Sequence, residues 1–293
     1  MEEFAVLDNK KFSKFHAKLV FTTGVGAFTD LYNTIAYTAA VYSILSVYHT
    51  TLVVYGYIGF LFFVGGVIGA LTWGIVADLI GRKKAFLLDL ILMAIFALLS
   101  GVFVSLPALY VLRFLIGFTL GGDYPAALTM LSEYSPIKRR GSLLTTFWTI
   151  FAAGGFVAGI VGYFTLVHFG ISELQMRIML ASGAIPAAIG IASRIWIPES
   201  PRWLAKKGRY EDAISSLSSA TGLNFNKDYF NNYSAPKINR AHSLKLFFSR
   251  KYAYVFTALA IVVLLPNFIP TAAASFSPYL FSIAGIPKVR SVL

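Results

Sequence analysis

The sequence predicts an all-α membrane protein, a six-helix bundle followed by a seventh helix, and three observations predict it. Of 293 residues, 57% are hydrophobic and only 13% are charged, roughly half the charged share of a soluble domain. The apolar residues come in runs of twenty or more. Nearly all the charge falls between the runs, as it must where lipid is the solvent of the runs themselves.

A hydrocarbon core of ~30 Å takes about 20 residues at ~1.5 Å each. Seven runs reach that length, near 19–44, 52–77, 85–105, 107–132, 143–167, 174–197 and 253–283. The first follows Lys10, Lys11, Lys14 and Lys18; it is too long for a signal-peptide core and lacks a small-residue cleavage site after it. Gly65 and Gly69 in the second, Gly117 and Gly121 in the fourth, and Gly155 and Gly159 in the fifth recur at four-residue spacing, which lets helix backbones approach closely. The third run carries Asp89. The fourth carries Arg113 and the segment Asp123-Tyr124-Pro125, in which the proline frees a carbonyl about one turn earlier, near Gly121, as a ligand or a hinge. The sixth has Arg177 and Arg194 near its ends, and the seventh is interrupted by Pro266 and Pro270, which kink or break it. Four segments follow: a tail over 1–18, a six-span domain over 19–197, a connector over 198–251, and the first span of a second domain over 252–293. The connector reads either as a solvated linker or, in its first part, as short amphipathic surface helices.

Basic loops are retained in the cytoplasm. The tail has four Lys or Arg, the 78–84 loop three, the 136–141 loop three and the connector ten, twenty of the 25 in the chain. The turns near 48–51, 105–107 and 168–173 have none. The N-terminus, those loops and the connector are therefore expected in the cytoplasm of a cell (plasma) membrane protein, and the C-terminus outside.

A net charge of +12 raises a nucleic-acid partner, but the cations cluster at span ends rather than along a stripe with exposed aromatics, so none is expected. Zero Cys excludes disulfides, thiolate metal sites and Cys nucleophiles. Walker A, HExxH and GxSxG patterns are absent, and His16, His49, His168 and His242 fall in tails, loops or span ends, where a surface role is expected. The reading is a non-enzyme without cofactor or metal, with the lipid bilayer as its first partner.

Chemistry is concentrated in the charges inside the runs. An Asp at mid-bilayer costs ~2.5–3.5 kcal/mol against ~0.3–0.6 gained per Leu, Ile, Phe or Val, so each needs a reason. Asp30 lies about 16 Å into the first span at the helix rise. Gly26, Asp30, Asn33 and Tyr37 recur at helical spacing as one polar stripe, facing a bundle interior or a wet cavity. Asp123 is equally deep. Asp89 is one to two turns from the basic edge, where snorkelling and function fit alike. Arg113 reads as the one basic residue clearly within a span, paired with a carboxylate or with helix carbonyls, as a ligand or as a brace. Three buried acids with one buried base suit proton exchange.

The loop Gly74-Ile-Val-Ala-Asp78-Leu-Ile-Gly81-Arg82-Lys83-Lys84 resembles the signature loop of the major facilitator superfamily. Arg113 and Gly117 fit the Arg-x-x-x-Gly pattern of its fourth span, and Pro198-Glu199-Ser200-Pro201-Arg202-Trp203-Leu204 is similar to the end of span 6 in its sugar-porter-like branch. Gly121-Gly122-Asp123-Tyr124-Pro125 looks like the span-4 signature of the phosphate:proton symporters, and Gly24-Val25-Gly26 with Asp30 resembles their span 1. The resemblance implies a small-molecule solute and protons as partners and alternating access between two six-helix halves, with Asp30 and Asp123 carrying the coupled proton, Asp89 where the family has an acidic residue in span 3, and Tyr124 at the solute. Asp89 is read with them as a proton-coupling candidate, and Asn33, Tyr37 and Arg113 as solute-binding candidates from their own positions. The charges that collect on the cytoplasmic side are read as an ion-pair gate, steady in one state and parted in the other, built from Asp78, Gly81, Arg82, Glu133, Arg140, Glu199 and Arg202. The expected function is proton-coupled symport of phosphate or another small anion; a sugar-porter-like carrier of a neutral sugar and a non-transporting truncated bundle are the alternatives. A carrier of this type has twelve spans, so a missing C-terminal half or a second copy is expected as partner.

Overall fold

The computed structural model describes residues 4–230 and, beyond them, only positions 233, 249, 253–255, 257, 258, 280, 283 and 284. The expectations for the seventh span and for most of the connector after residue 230 therefore lie outside the described residues.

Within them the chain is helical throughout. The helices are α1 (Ala5–Asp8), α2 (Lys14–Ala39), α3 (Val41–Val47), α4 (Leu52–Ile80), α5 (Arg82–Val102), α6 (Leu106–Tyr134), α7 (Arg140–Phe169), α8 (Glu173–Ser182), α9 (Ala184–Arg194), α10 (Pro201–Lys206) and α11 (Tyr210–Thr221). The first predicted span is α2 continued by α3, and the sixth is α8 continued by α9, each interrupted at one residue, Ala40 and Gly183. Helix starts are capped where the sequence supplies a hydroxyl: Ser105 accepts from the Ala108 N–H (3.3 Å), Ser172 from Gln175 (3.2 Å) and Ser200 from Trp203 (3.1 Å). α4 stops at Gly81, whose φ of +105° excludes a side chain at little cost to glycine alone.

Five of the six predicted spans, α4, α5, α6, α7 with the short turn before it, and α8–α9, are long and apolar enough to cross a membrane. α2 falls short by composition, because Thr22, Thr23, Thr29, Asp30 and Asn33 fill its interior, all of them buried. It is the inner helix of the bundle, packed on α7, α9 and α6. α4 by contrast turns Val53, Tyr57, Phe60, Val67 and Leu71 outward, each more than half exposed, an apolar surface that only lipid or another apolar partner can cover.

α4 and α6 meet backbone to backbone. A Cβ at Gly65 or Gly69 would overlap the Phe114 or Phe118 carbonyl, and one at Gly117 the Phe62 carbonyl. With Gly121, whose Cβ would overlap the Gly66 carbonyl, the spacing of these four glycines is a packing seam, as read from the sequence. On α7 the closest approach is made by Gly154, against the Phe28 backbone, rather than by Gly155.

The connector differs from a solvated linker over 201–221. α10 and α11 bury Trp203, Leu204, Ala205, Ala213 and Leu217 in one core with Phe4 and Leu7 of the N-terminal segment and Leu131 and Tyr134 of α6. This small helical layer covers the basic end of the bundle.

Candidate functional site

The polar stripe of α2 faces inward and divides into two layers. The layer nearer the end without basic loops contains Asn33 and Tyr37 from α2, Tyr55 from α4 and Arg113 from α6. All four are buried. Arg113 donates from Nη1 to the Asn33 carbonyl (3.3 Å), and its guanidinium lies 4.1 Å from the centre of the Tyr37 ring. That ring is stacked parallel to Tyr55 at 4.6 Å, and the Tyr37 hydroxyl donates to the Tyr55 carbonyl (2.9 Å). Asn33 donates to the Thr29 carbonyl (3.0 Å) and touches Met93 Sδ (3.4 Å), and its amide fills the space left by Gly183, where α8 gives way to α9. Among the described residues Arg113 forms no ion pair and leaves Nε without an acceptor. It is therefore satisfied by a helix carbonyl and an aromatic face, one of the two arrangements its position allowed.

The second layer lies deeper toward the basic end. Arg113 and Asp123 are ten residues apart on α6, about 15 Å along the axis. Here Asp30 of α2, Asp89 of α5 and Asp123 of α6 converge, all at most 1% exposed. Asp89 is thus fully inside, and snorkelling does not occur. Between them sits Arg194, the last residue of α9, with Nη1 3.0 Å from Asp89 Oδ1 and Nη2 paired with Asp123 Oδ1. The sequence put Arg194 at the edge of its span and left Arg113 as the sole interior cation; the structure corrects this. The available signal was that Ile195, Trp196 and Ile197 continue the apolar run past Arg194. No N–H or hydroxyl of the described residues donates to either Asp30 oxygen, but its carboxyl lies within hydrogen-bond reach of Asp123 and within electrostatic reach of Asp89 and Arg194.

Tyr124, half-buried, stacks on Trp148 with ring centres 6.0 Å apart and meets Phe151 edge-on at 6.0 Å. It is within electrostatic reach of Asp30 and Asp123, and it lines an apolar cleft of about 340 Å³ between α4 and α6. α6 runs unbroken through Pro125. Tyr124 is thus the residue that joins the acidic layer to an open surface.

The predicted gate residues separate into two groups. Arg82 pairs with Glu133, whose second oxygen accepts from Ser200 (2.6 Å). Glu199 accepts the backbone N–H groups of Arg82 (3.0 Å) and Lys83 (3.0 Å), and its carboxylate occupies the space beside Gly81. A carboxylate at the start of α5 complements the positive end of that helix. Asp78 is half-buried, and its carbonyl accepts from the Trp203 indole (3.1 Å). Arg140 and Arg202 lie outside this network: Arg140 pairs with Asp8 (3.1 Å) and Arg202 lies over Phe4 (5.2 Å), so both tie down the N-terminal segment.

His16, expected on the surface, is buried as well. Nδ1 accepts from the Ser13 N–H (3.1 Å), so Nε2 carries the proton and donates to the Tyr134 carbonyl (3.2 Å). Burial lowers its pKa from the ordinary 6.5, opposed by the Tyr134 carbonyl, with Lys10 lowering it further. Nothing in the tail sequence distinguishes it from His49 or His168.

Residues 19–292 match the profile of the sugar (and other) transporter family. The chain is 32% identical over 206 residues to the putative metabolite transport protein YaaU of Escherichia coli (strain K12), covering 70% of this chain and 45% of that protein. It is 31% identical over 278 residues to the low affinity inorganic phosphate transporter 8 of Medicago truncatula, covering 83% of this chain and 50% of the relative. The fold is similar to the partially occluded inward open conformation of the xylose transporter XylE from E. coli, with a TM-score of 0.74 and 19% identity over 95% of this chain and 69% of that one. The chain spans about half the length of the curated relatives it matches.

Proposed function

Because this chain belongs to the sugar (and other) transporter family of the major facilitator superfamily, we propose that it forms one six-helix half of a proton-coupled symporter that imports a small anion, phosphate first among them. The observation that carries this reading is the set of three dry carboxyls, Asp30, Asp89 and Asp123, at mid-bundle beside Tyr124. Carboxyls withdrawn from water exchange protons far more readily than any other buried group supplied here. The coupled proton enters and leaves this layer, with Asp30 its first carrier. Solute recognition belongs to the layer of Arg113, Asn33 and Tyr37, where a buried guanidinium with no carboxylate partner among the described residues suits an anion. The relative named as a phosphate transporter agrees with that choice. Arg82, Glu133 and Glu199 hold the cytoplasmic side together in one state and part in the other, and the opposing half of the cavity comes from a further segment or a second copy.

Proteoliposomes loaded with an outward-directed solute sink test the reading. Labelled phosphate uptake driven by an inward proton gradient, and lost in Asp30→Asn and Asp123→Asn, is the expected result. Uptake that ignores the gradient, or survives the double substitution, refutes coupling. Uptake of labelled hexose in place of phosphate refutes the anion assignment.

A further inference from the structure

One cation in the acidic layer has no part in the function proposed above. Arg194 is 1% exposed and bridges two helices, Nη1 to Asp89 on α5 and Nη2 to Asp123 on α6. Its plane lies 3.2 Å from the centre of the Phe86 ring, and Nη1 also donates to the Phe86 carbonyl. Its space is created by Gly26 on α2: a Cβ there would overlap Nη2 and approach Asp123 Oδ2 to 2.7 Å. Four helices thus converge on one guanidinium. The ionisable groups around it are Asp30 from α2, Asp89 from α5, and Asp123 and Tyr124 from α6.

The three acids are not equivalent. Arg194 has committed both terminal nitrogens, one to Asp89 and one to Asp123, and each of these acids keeps a single oxygen without a partner. Asp30 has two such oxygens, no ion pair among the described residues, and the Asp123 carboxyl within hydrogen-bond reach. In a dry interior a carboxylate with neither counter-ion nor donor takes up a proton, whereas one held by a guanidinium stays charged. We propose that Arg194 is the positioning residue of the proton site, holding Asp123 in place beside Asp30 so that Asp30 is the carboxyl that exchanges a proton. The proton moves between the Asp30 oxygen and water, and no other bond changes. This deepens, and rests on, the proton-coupled reading of the same layer.

Infrared difference spectra of the full chain in liposomes, recorded against pH, follow the C=O stretch of protonated carboxyls without requiring transport. Above the pH range in which exposed carboxylates titrate, the wild type should show one titrating carboxyl band, absent from Asp30→Asn and present in Asp89→Asn. Arg194→Gln should move its midpoint by about one pH unit or more, tenfold in proton affinity, and add a second band that Asp123→Asn removes. Gly26→Ala, which displaces the guanidinium and leaves every charge in place, should do the same. Should Arg194→Gln prove unstable, Arg194→Gln combined with Asp89→Asn rebalances the charge and should still show the shifted midpoint. A wild-type midpoint and a single band in Arg194→Gln, or in the double variant, overturns the role of Arg194 and leaves proton coupling standing. A wild type with no carboxyl titrating above the exposed range overturns both.

Discussion

The two polar layers of the bundle use the same residue types in opposite proportion. Around Arg113 a guanidinium has no acid beside it among the described residues and is held by a carbonyl and the face of Tyr37. Around Arg194, about three helical turns away along α6, one guanidinium serves two acids and a third stands by unpaired. Both sites are equally dry, so the contrast lies in the local charge count. A buried excess of positive charge is eased by an anion and a buried excess of negative charge by a cation, the smallest of which is a proton. Coupling between two substrates then needs no shared ligand. It needs two neighbouring sites of opposite imbalance on helices that move together.

The sharpest way to break the contrast is to remove each cation in turn. Arg194→Met leaves acids uncompensated in the interior and should cost ~3–5 kcal/mol, whereas Arg113→Met frees only a carbonyl and a ring face and should cost ~1 kcal/mol. Thermal unfolding in detergent reads both; equal losses would mean that the two layers do not differ in charge. Next in size, Gly117→Val, placed on α6 between the layers, should cost ~1–3 kcal/mol by forcing α4 away and should lower proton-driven uptake. Stability and uptake both unchanged would show that the seam does not keep the layers in register.

Tyr37→Phe should cost ~0.5–1.5 kcal/mol through its bond to the Tyr55 carbonyl and leave the KM for the anion unaltered, because the ring under Arg113 is kept. Tyr37→Leu should raise that KM. At the basic end, where pairs are better hydrated, Arg82→Gln should slow transport more than Arg140→Gln: the first breaks the link to Glu133, the second a pair with Asp8 whose arginine is 38% exposed and which contributes ~0–1 kcal/mol. The smallest effect is that of pH on His16. Its folded pKa is lowered below 6.5 by burial, so the unfolded chain binds the proton first. The contribution of His16 is full above pH 6.5 and declines as pH falls below it. His16→Gln should flatten that part of the stability profile, and an identical profile would place the titration elsewhere.

What the sequence discloses about this molecule follows from what stands out against lipid. Asp30, Asp89 and Asp123 are conspicuous as charges within apolar runs, and the glycine spacing of α4 and α6 announces close packing. Arg194 escaped because position within a run measures depth only when neighbouring helices end together. α9 ends at Arg194, whereas α6 continues eleven residues beyond Asp123 to Tyr134, so the end of a short helix lies beside the middle of a long one. The burial of α10 and α11 was equally hidden, since their apolar faces resemble those of surface helices until the core beneath them is known. His16 carries no mark at all; its role depends on a carbonyl 118 residues away. The sequence thus reveals which groups are costly to bury. It is silent on which of them meet.

The backbone contact between α4 and α6 has one more consequence. Along Gly65, Gly69, Gly117 and Gly121 no side chain cushions the two helices, so nothing compliant lies between them to absorb a shear. The pair behaves as a girder: a tilt imposed at the Tyr55 end is delivered undamped to Trp73, whose indole clasps the Phe118 carbonyl and packs on Gly122, next to Asp123. Any bending between the two ends of this bundle has to come from helices other than this beam.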